Sequence, residues 1–275
     1  ENGHKSVGIN TLWHSKSPDW QFEVGSSLEL TQAYLRETQD NPAPFGQDRF
    51  PQGQHYDYDV DAQNLGVFAH TQYTPTKRLN INANIRWDSI RYDDNEQLSS
   101  GADCAEGVQG CRFFRPASRE ESYSSPSARI GFTYSLNNKD TQSPPKHSVY
   151  GNIGSAFRTP QAAELYRLQA PEQFNDVVNV RVDGIEFGWR GNTDKLDYAI
   201  GVFAMTQRDG IYQDSERNYI SGAETRHQGI EYERRDRFSQ VHLHASGAFR
   251  RHTYTNNPNT LGQATNITGN AIDTA

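Results

Sequence analysis

The sequence has no long hydrophobic run. Only 34% of its 275 residues are hydrophobic, and no stretch reaches the ~18 consecutive apolar residues of a membrane-spanning helix. Such a supply is thin for the core of a conventional soluble domain of this length. A barrel with a hydrated interior suits the composition better, because it needs apolar residues only on its outer face. Any membrane crossing must therefore use strands.

The sequence also lacks a basic excess and the common catalytic motifs. Its 27 Lys and Arg residues are outnumbered by 34 Asp and Glu, for a net charge of −7. This balance gives no support to nucleic-acid binding, which needs a clustered basic footprint. A hydrolase elbow, a phosphate-binding loop, a dinucleotide fingerprint and a zinc-protease helix motif are all missing. We predict that the protein is not an enzyme and needs no cofactor.

Cysteine is nearly absent. Cys104 and Cys111 are the only two cysteines, and they close a small loop within the polar segment Leu98–Arg112. Metal binding is the weaker interpretation, because no histidine lies between or beside them. We predict a disulfide that braces an exposed loop in an oxidising compartment.

Apolar and polar residues alternate with a period of two in many parts of the sequence. In the segment 79–88, apolar residues at odd positions alternate with Asn, Arg and Asp at even positions, which predicts a strand with one apolar and one polar face. Several such strands are about twice the length usual in soluble proteins. Gly184 lies where the apolar parity switches, so a β-bulge is expected there. The ten predicted strands are 3–15, 19–33, 60–75, 78–92, 123–136, 146–158, 178–190, 195–208, 218–234 and 238–254.

The predicted connectors alternate between short and long. The long ones are 34–59, 93–122 and 159–177, the short ones are 16–18, 76–77, 191–194 and 235–237, and 137–145 and 209–217 are of moderate length. Each of the first, third, fifth and seventh connectors is shorter than the one that follows it. This asymmetry is typical of outer-membrane barrels, whose extracellular loops are long and whose periplasmic turns are tight. It places both cysteines outside. Aromatic residues near the strand ends would form the interfacial girdles, namely Trp13, Trp20, Tyr73, Trp87, Tyr92, Tyr134 and Tyr212.

The segment 157–166 reads FRTPQAAELY. A strand ends at Arg158, and Pro160 forbids its continuation as a central strand. The string resembles a signature of the TonB-dependent receptors, and weaker resemblance extends through 65–88, 196–212 and the GIEYE segment at 229–233. The alternative interpretation of this segment is a strand followed by one helical turn in a β protein of any other family. The signature residues are Phe157, Arg158, Pro160, Glu164, Leu165 and Tyr166.

The resemblance implies an all-β fold in the bacterial outer membrane. The chain would supply about ten strands, as an antiparallel up-and-down meander, to a 22-stranded transmembrane β-barrel. We expect residues 1–275 to be an internal piece of the barrel domain, without the family's plug domain and last strands. The implied partners are the lipid bilayer, a small-molecule metal chelate, and the TonB complex, which is reached through the missing plug.

The implied function is active transport, most simply of a ferric siderophore. Receptors for cobalamin, copper or an oligosaccharide are alternatives, as is a soluble carbohydrate-binding β-protein. Haem receptors of the family carry a His after the signature, but no His occurs from 159 to 226, which argues against haem.

Two outer loop segments carry candidate ligand-binding residues. Phe45–Tyr58 and Arg112–Arg119 combine arginines, which pair with carboxylates or catecholates, with aromatic rings that offer stacking surfaces. Ordinary loop residues are the alternative at each position. The candidates are Arg49, His55, Tyr56, Tyr58, Arg112, Phe113, Phe114 and Arg115.

The polar strand faces are expected to form a hydrated wall whose charges pair with one another. His242 and His244 share one such face and could bind a metal. Because no third ligand lies within sequence reach, we predict no metal site. The wall residues are Glu23, Glu29, Arg86, Asp88, Arg158, Asp197, Glu231, Glu233, His242, His244 and Arg250.

Overall fold

The computed structural model describes residues 1–137, 146–168, 177–213, 219–257 and 266–272. Ten long strands form one antiparallel sheet in which each strand pairs with its neighbours along the chain, so the predicted meander is confirmed. Among the described residues, no helix is long and apolar enough to cross a membrane. The sheet strands are β1 (Asn2–Lys16), β2 (Trp20–Gln39), β3 (Gly53–Tyr73), β4 (Leu79–Glu96), β7 (Glu120–Ser135), β8 (Lys146–Arg158), β9 (Val180–Asn192), β10 (Leu196–Gln213), β11 (Tyr219–Phe238) and β12 (Val241–Tyr254).

Within the part of the chain that the structure describes, three short elements lie in the long connectors. Strands β5 (Gly101–Ala102) and β6 (Phe114–Arg115) pair with each other between β4 and β7. Helix α1 (Ala162–Tyr166) follows β8. All three lie at the end of the sheet where the strands lead into the long connectors. We call this end of the sheet the loop edge.

The cross-strand register sorts the side chains onto two faces, because directly opposed residues point to the same side of a sheet. One row of partners is apolar and crosses seven strands as Ile81, Phe132, Gly151, Phe187, Val202, Ile230 and Phe249. The adjacent row is largely polar and consists of Asn82, Gly131, Asn152, Glu186, Phe203, Gly229 and Arg250. We call the two sides the apolar face and the polar face.

The apolar face is exposed. Ile85 on β4 and Leu243 on β12 are each 55% exposed. An exposed apolar surface this extensive is unusual for a soluble monomer and marks contact with an apolar environment. Five of the predicted girdle aromatics are exposed, namely Trp13, Trp20, Tyr73, Trp87 and Tyr134. Tyr92 was wrongly predicted among them, because its position places it on the polar face, where it is buried.

The polar face pairs its own charges. Arg250 contacts Glu231 at 2.8 Å and Arg235 contacts Glu233 at 2.6 Å. His244 Nε2 lies 3.2 Å from the same Glu233 carboxylate. Nearer the middle of the sheet, Arg86 contacts Asp88 at 2.5 Å. The expectation of a mixed-charge wall therefore holds for these residues.

Several strands run further toward the loop edge than predicted. The connector predicted at 34–59 is only 40–52, and the one predicted at 93–122 is 97–119. β10 continues to Gln213 through register shifts around Gly210. The prediction placed strand ends where apolar alternation stops. Backbone ladder hydrogen bonds do not depend on side-chain hydropathy, so the strands continue past that point.

Gly184 does not form the predicted bulge. The register of β9 with β8 and with β10 is unbroken through Gly184. The apolar parity along β9 switches for another reason. Val180 is an apolar residue whose position places it on the polar face, and it is buried there. Gly184 instead makes room for Met205, whose Cγ would lie only 2.9 Å from an added Cβ.

The connector predicted at 235–237 was also wrong. β11 continues to Phe238 and joins β12 through a two-residue turn, Ser239–Gln240. Ser239 has a φ of 50°, a conformation that Gly, Asn or Asp usually supplies in such turns. Because Ser239–Gln240 has none of these residues, the sequence did not mark the turn.

Candidate functional site

The signature segment turns back sharply after β8. The strand ends at Arg158, and Pro160, which has no N–H to donate, prevents further pairing. The Arg158 guanidinium donates two hydrogen bonds to the Glu164 carboxylate, at 2.9 and 3.1 Å. The backbone N–H of Gln161 donates to Glu164 Oε2 at 2.7 Å, as in a helix capping box. Glu164 therefore ties the end of β8 to the start of α1.

Replacing Arg158 with alanine should loosen this turn. Arg158 is partly exposed, so we expect the loss of its two hydrogen bonds to cost about 1 kcal/mol locally. Hydrogen exchange should accelerate in residues 159–168. Arg91→Ala, which removes an exposed pair with Glu120, is the control and should leave that segment unchanged. Normal protection in Arg158→Ala combined with a selective loss of ligand binding would contradict this structural role.

Three carbonyl oxygens in residues 160–168 are held by other parts of the chain. The Tyr92 hydroxyl on β4 donates to the Pro160 carbonyl at 3.1 Å. Arg119 Nη2 donates to the Leu165 carbonyl, also at 3.1 Å. The Leu168 carbonyl accepts from the Tyr56 hydroxyl on β3 and from the Phe114 N–H on β6. The segment is thereby fixed over β3 and β4.

A small apolar core forms beneath this segment, and we call it the outer core. Its strand residues lie near the loop edge in β3 and β4, and its remaining residues come from α1. The rings of Tyr58 and Tyr166 lie 6.1 Å apart, and the Tyr166 side chain is completely buried. The core consists of Tyr56, Tyr58, Val60, Tyr92, Leu165 and Tyr166.

The segment 97–119 folds around its disulfide. Cys104 and Cys111 are bonded, with their Cα atoms 5.8 Å apart. Asp103, next to Cys104, accepts a hydrogen bond from Arg115 Nη1 at 2.7 Å and contacts His55 Nδ1 at 2.6 Å. Arg115 also donates to the carbonyl of Ser99 at 2.8 Å. Asp103 thereby connects the disulfide loop to β3.

Aromatic stacking reinforces the same junction. The rings of His55 and Phe113 are nearly parallel, with centroids 3.6 Å apart. Phe113 also meets Phe50 and Tyr56 edge to face, at 6.1 and 6.0 Å. The two edge-to-face contacts are of the kind that aromatic rings prefer, whereas the His55–Phe113 pair is stacked face to face. The two predicted ligand-binding segments therefore pack against each other.

The eight candidate ligand residues come together, but they differ in accessibility. Four of them are buried, namely His55, Tyr56, Tyr58 and Arg115. Arg112, Phe113 and Phe114 are half-buried, and Arg49 is exposed. Arg49 lies across the disulfide loop, with its guanidinium carbon 3.4 Å from where a Cβ on Gly110 would be. Only part of this set can therefore meet a ligand from outside.

Asp94 lies against the outer core and was missed by the sequence analysis. It is 2% exposed, and neither carboxylate oxygen has a hydrogen-bond partner. Burial and the neighbouring Glu96 raise the pKa of Asp94 to about 7. Burial likewise raises the pKa of the Tyr166 hydroxyl, which also lacks a partner. The sequence offered no signal, because Asp94 fell within the predicted connector 93–122.

Comparison with known proteins gives one family and several similar folds. The protein-family model described as "TonB dependent receptor-like, beta-barrel" matches residues 3–275. A search of curated proteins finds no match.

Three solved structures illustrate the similarity of fold. The copper transporter OprC superposes with a TM-score of 0.70 at 18% identity, covering 92% of this chain and 38% of its own. The siderophore receptor PiuA from Acinetobacter baumannii gives 0.65 at 11% identity, covering 98% and 42%. The ferric yersiniabactin uptake receptor FyuA from Yersinia pestis gives 0.63 at 14% identity, covering 97% and 37%. The chain thus spans well under half the length of these proteins.

Proposed function

This chain belongs to the TonB-dependent receptor β-barrel family, and from that membership we propose that it forms part of an outer-membrane receptor for active uptake of a metal chelate, such as a ferric siderophore. The match of the family model to residues 3–275 is the observation that carries the proposal. The receptor is placed in the bacterial outer membrane. Its energy comes from the TonB complex, which acts through a plug domain.

The two faces of the sheet support the membrane assignment. The apolar face would contact lipid, since its side chains are exposed across all ten long strands. The polar face would line the hydrated interior, as in barrels whose strands alternate apolar-out and polar-in. The loop edge is then extracellular, which suits the Cys104–Cys111 disulfide.

We assign different roles to the candidate ligand residues according to their burial. Arg49, and Arg112 beside the disulfide loop, are the groups that would meet an anionic chelate, because guanidinium pairs strongly with carboxylate and catecholate oxygens. The backbone N–H of Arg112 donates to the Arg49 carbonyl at 3.2 Å, so the two residues are adjacent. His55, Tyr56, Tyr58 and Arg115 hold this surface in place.

Uptake measurements test the proposal. Cells that lack their own siderophore receptors and produce the full-length receptor should accumulate radioactive iron from a ferric catecholate, and should stop when TonB is deleted. The double variant Arg49→Ala/Arg112→Ala should need roughly tenfold more chelate for half-maximal uptake, the loss of about 1.4 kcal/mol. Arg91→Ala, which removes an exposed arginine paired with Glu120 near the loop edge, is the matched control.

The same cells distinguish the alternatives. Ferric citrate, cobalamin, copper and an oligosaccharide are offered in parallel, and TonB-dependent uptake of one of these alone would replace the siderophore assignment. Uptake of none of them, or uptake that persists without TonB, would overturn the transport proposal.

A further inference from the structure

Two histidines face each other on adjacent strands of the polar face. His227 on β11 is the direct cross-strand partner of His252 on β12. Their Nδ1 atoms lie 2.6 Å apart, and both side chains are half-buried. Two imidazole nitrogens this close must share a proton, since otherwise two lone pairs would point at each other. The Nδ1 atoms of both rings therefore point at the same position between the two strands.

A contact at the other ring nitrogen also orients His227. Its Nε2 lies 2.9 Å from the hydroxyl oxygen of Thr225, which is 5% exposed. Metal-binding histidines are characteristically fixed by a hydrogen bond at the ring nitrogen that does not bind the metal. When Nε2–H donates to Thr225, Nδ1 of His227 presents its lone pair toward His252.

A third ligand type lies next to the pair. Met205 on β10 is the direct cross-strand partner of His227, and it is the only methionine in the sequence. Its side chain lies over Gly184, and a thioether chain with three rotatable bonds can turn from there toward His227. Directly opposed residues have Cβ atoms about 4.5–5.5 Å apart, which is within reach of that chain.

We propose that His227 and His252, together with the Met205 thioether, form a binding site for copper(I) on the polar face. The metal takes the position between the two Nδ1 atoms. The proton there moves to Nε2 of the same ring, so both imidazoles stay neutral. Ligand nitrogens about 2.0–2.1 Å from a metal stand further apart than 2.6 Å, and rotation of the rings opens the required gap.

The ligand set favours copper(I) over zinc. Thioether and imidazole together suit copper(I), whereas zinc sites normally have four ligands drawn from Cys, His, Asp and Glu. Within the described ranges, no group of three or more His, Cys, Asp or Glu side chains is placed to hold a metal. The site does not depend on which chelate the receptor transports, because it is built from wall residues alone.

A competition titration tests the site. The full-length receptor, purified in detergent under anaerobic conditions, is titrated into the coloured copper(I)–bicinchoninate complex. We expect it to remove one equivalent of copper, and His252→Gln to weaken its affinity at least tenfold. His242→Gln is the matched control, because His242 lies on the same strand and face but opposite Arg237. Heat-modifiable migration in gels reports whether each variant is a folded barrel.

Each remaining outcome decides a part of the proposal. Failure of the folded wild-type protein to remove copper, or equal affinity in folded His252→Gln, would overturn the site. Met205→Leu should weaken copper(I) binding but leave zinc(II) binding, followed with a zinc dye, unchanged. Unaltered copper(I) affinity in Met205→Leu would overturn the thioether as a ligand.

Discussion

Replacing Tyr166 with alanine should destabilise the outer core by about 3–5 kcal/mol, the usual cost of truncating a buried aromatic ring. Tyr166 has no exposed surface. Its ring packs against Tyr58 and lies beneath the Arg119 guanidinium, which is 5.7 Å from the ring centroid. Removing the ring leaves a cavity between α1 and the strands. Hydrogen exchange of residues 159–168 and 56–60 should accelerate by two orders of magnitude or more.

Tyr166→Phe is the matched control, because it separates the effect of the ring from that of the hydroxyl. The Tyr166 hydroxyl is buried without a hydrogen-bond partner, and an unsatisfied buried polar group costs about 1–3 kcal/mol. Phenylalanine keeps the ring and removes that cost, so protection should be equal to or higher than in the wild type. If Tyr166→Phe exchanges as fast as Tyr166→Ala, the hydroxyl has an essential partner and the packing argument is wrong.

The two faces of the sheet could be predicted from the sequence, because side-chain hydropathy decides which face a strand residue occupies. The alternation in 79–88 placed Ile81 on the apolar face and Asn82 on the polar face, and the cross-strand register agrees. The stop after Arg158 was predictable for a similarly local reason, since proline acts on its own backbone.

Burial at the loop edge could not be predicted in the same way. Tyr56 and Leu168 are 112 residues apart, yet the Tyr56 hydroxyl donates to the Leu168 carbonyl. No local pattern indicates such a contact, so the residue types of the ligand candidates were visible but their burial was not. The His227–His252 pair was missed for a related reason. Its register depends on the unmarked turn at Ser239–Gln240, and the sequence drew attention to His242 and His244 instead.

The stability of the outer core should depend on pH through Asp94. Between the unfolded pKa of 3.8 and the folded pKa of about 7, Asp94 binds more protons in the folded state than in the unfolded state. Its contribution to stability is therefore complete below about pH 4 and falls as the pH rises toward 7, by up to about 4 kcal/mol. The physical reason is that ionisation leaves a buried carboxylate with no hydrogen-bond donor.

Asp94→Asn should remove most of this pH dependence, because the amide has a similar shape and no charge to bury. The outer core of the variant should be more stable than that of the wild type at pH 8 and similar at pH 4. Opening free energies from hydrogen exchange of residues 159–168, corrected for intrinsic rates, provide the measurement.

Burial also raises the pKa of Glu96, so a smaller slope of the same sign should remain. Asp93→Asn removes the neighbouring exposed carboxylate, whose charge is the smallest of the contributions that raise the pKa of Asp94, and should change the profile only slightly. A wild-type outer core that gains stability from pH 4 to pH 8 would show that Asp94 is ionised and paired, and would reverse the sign of this argument.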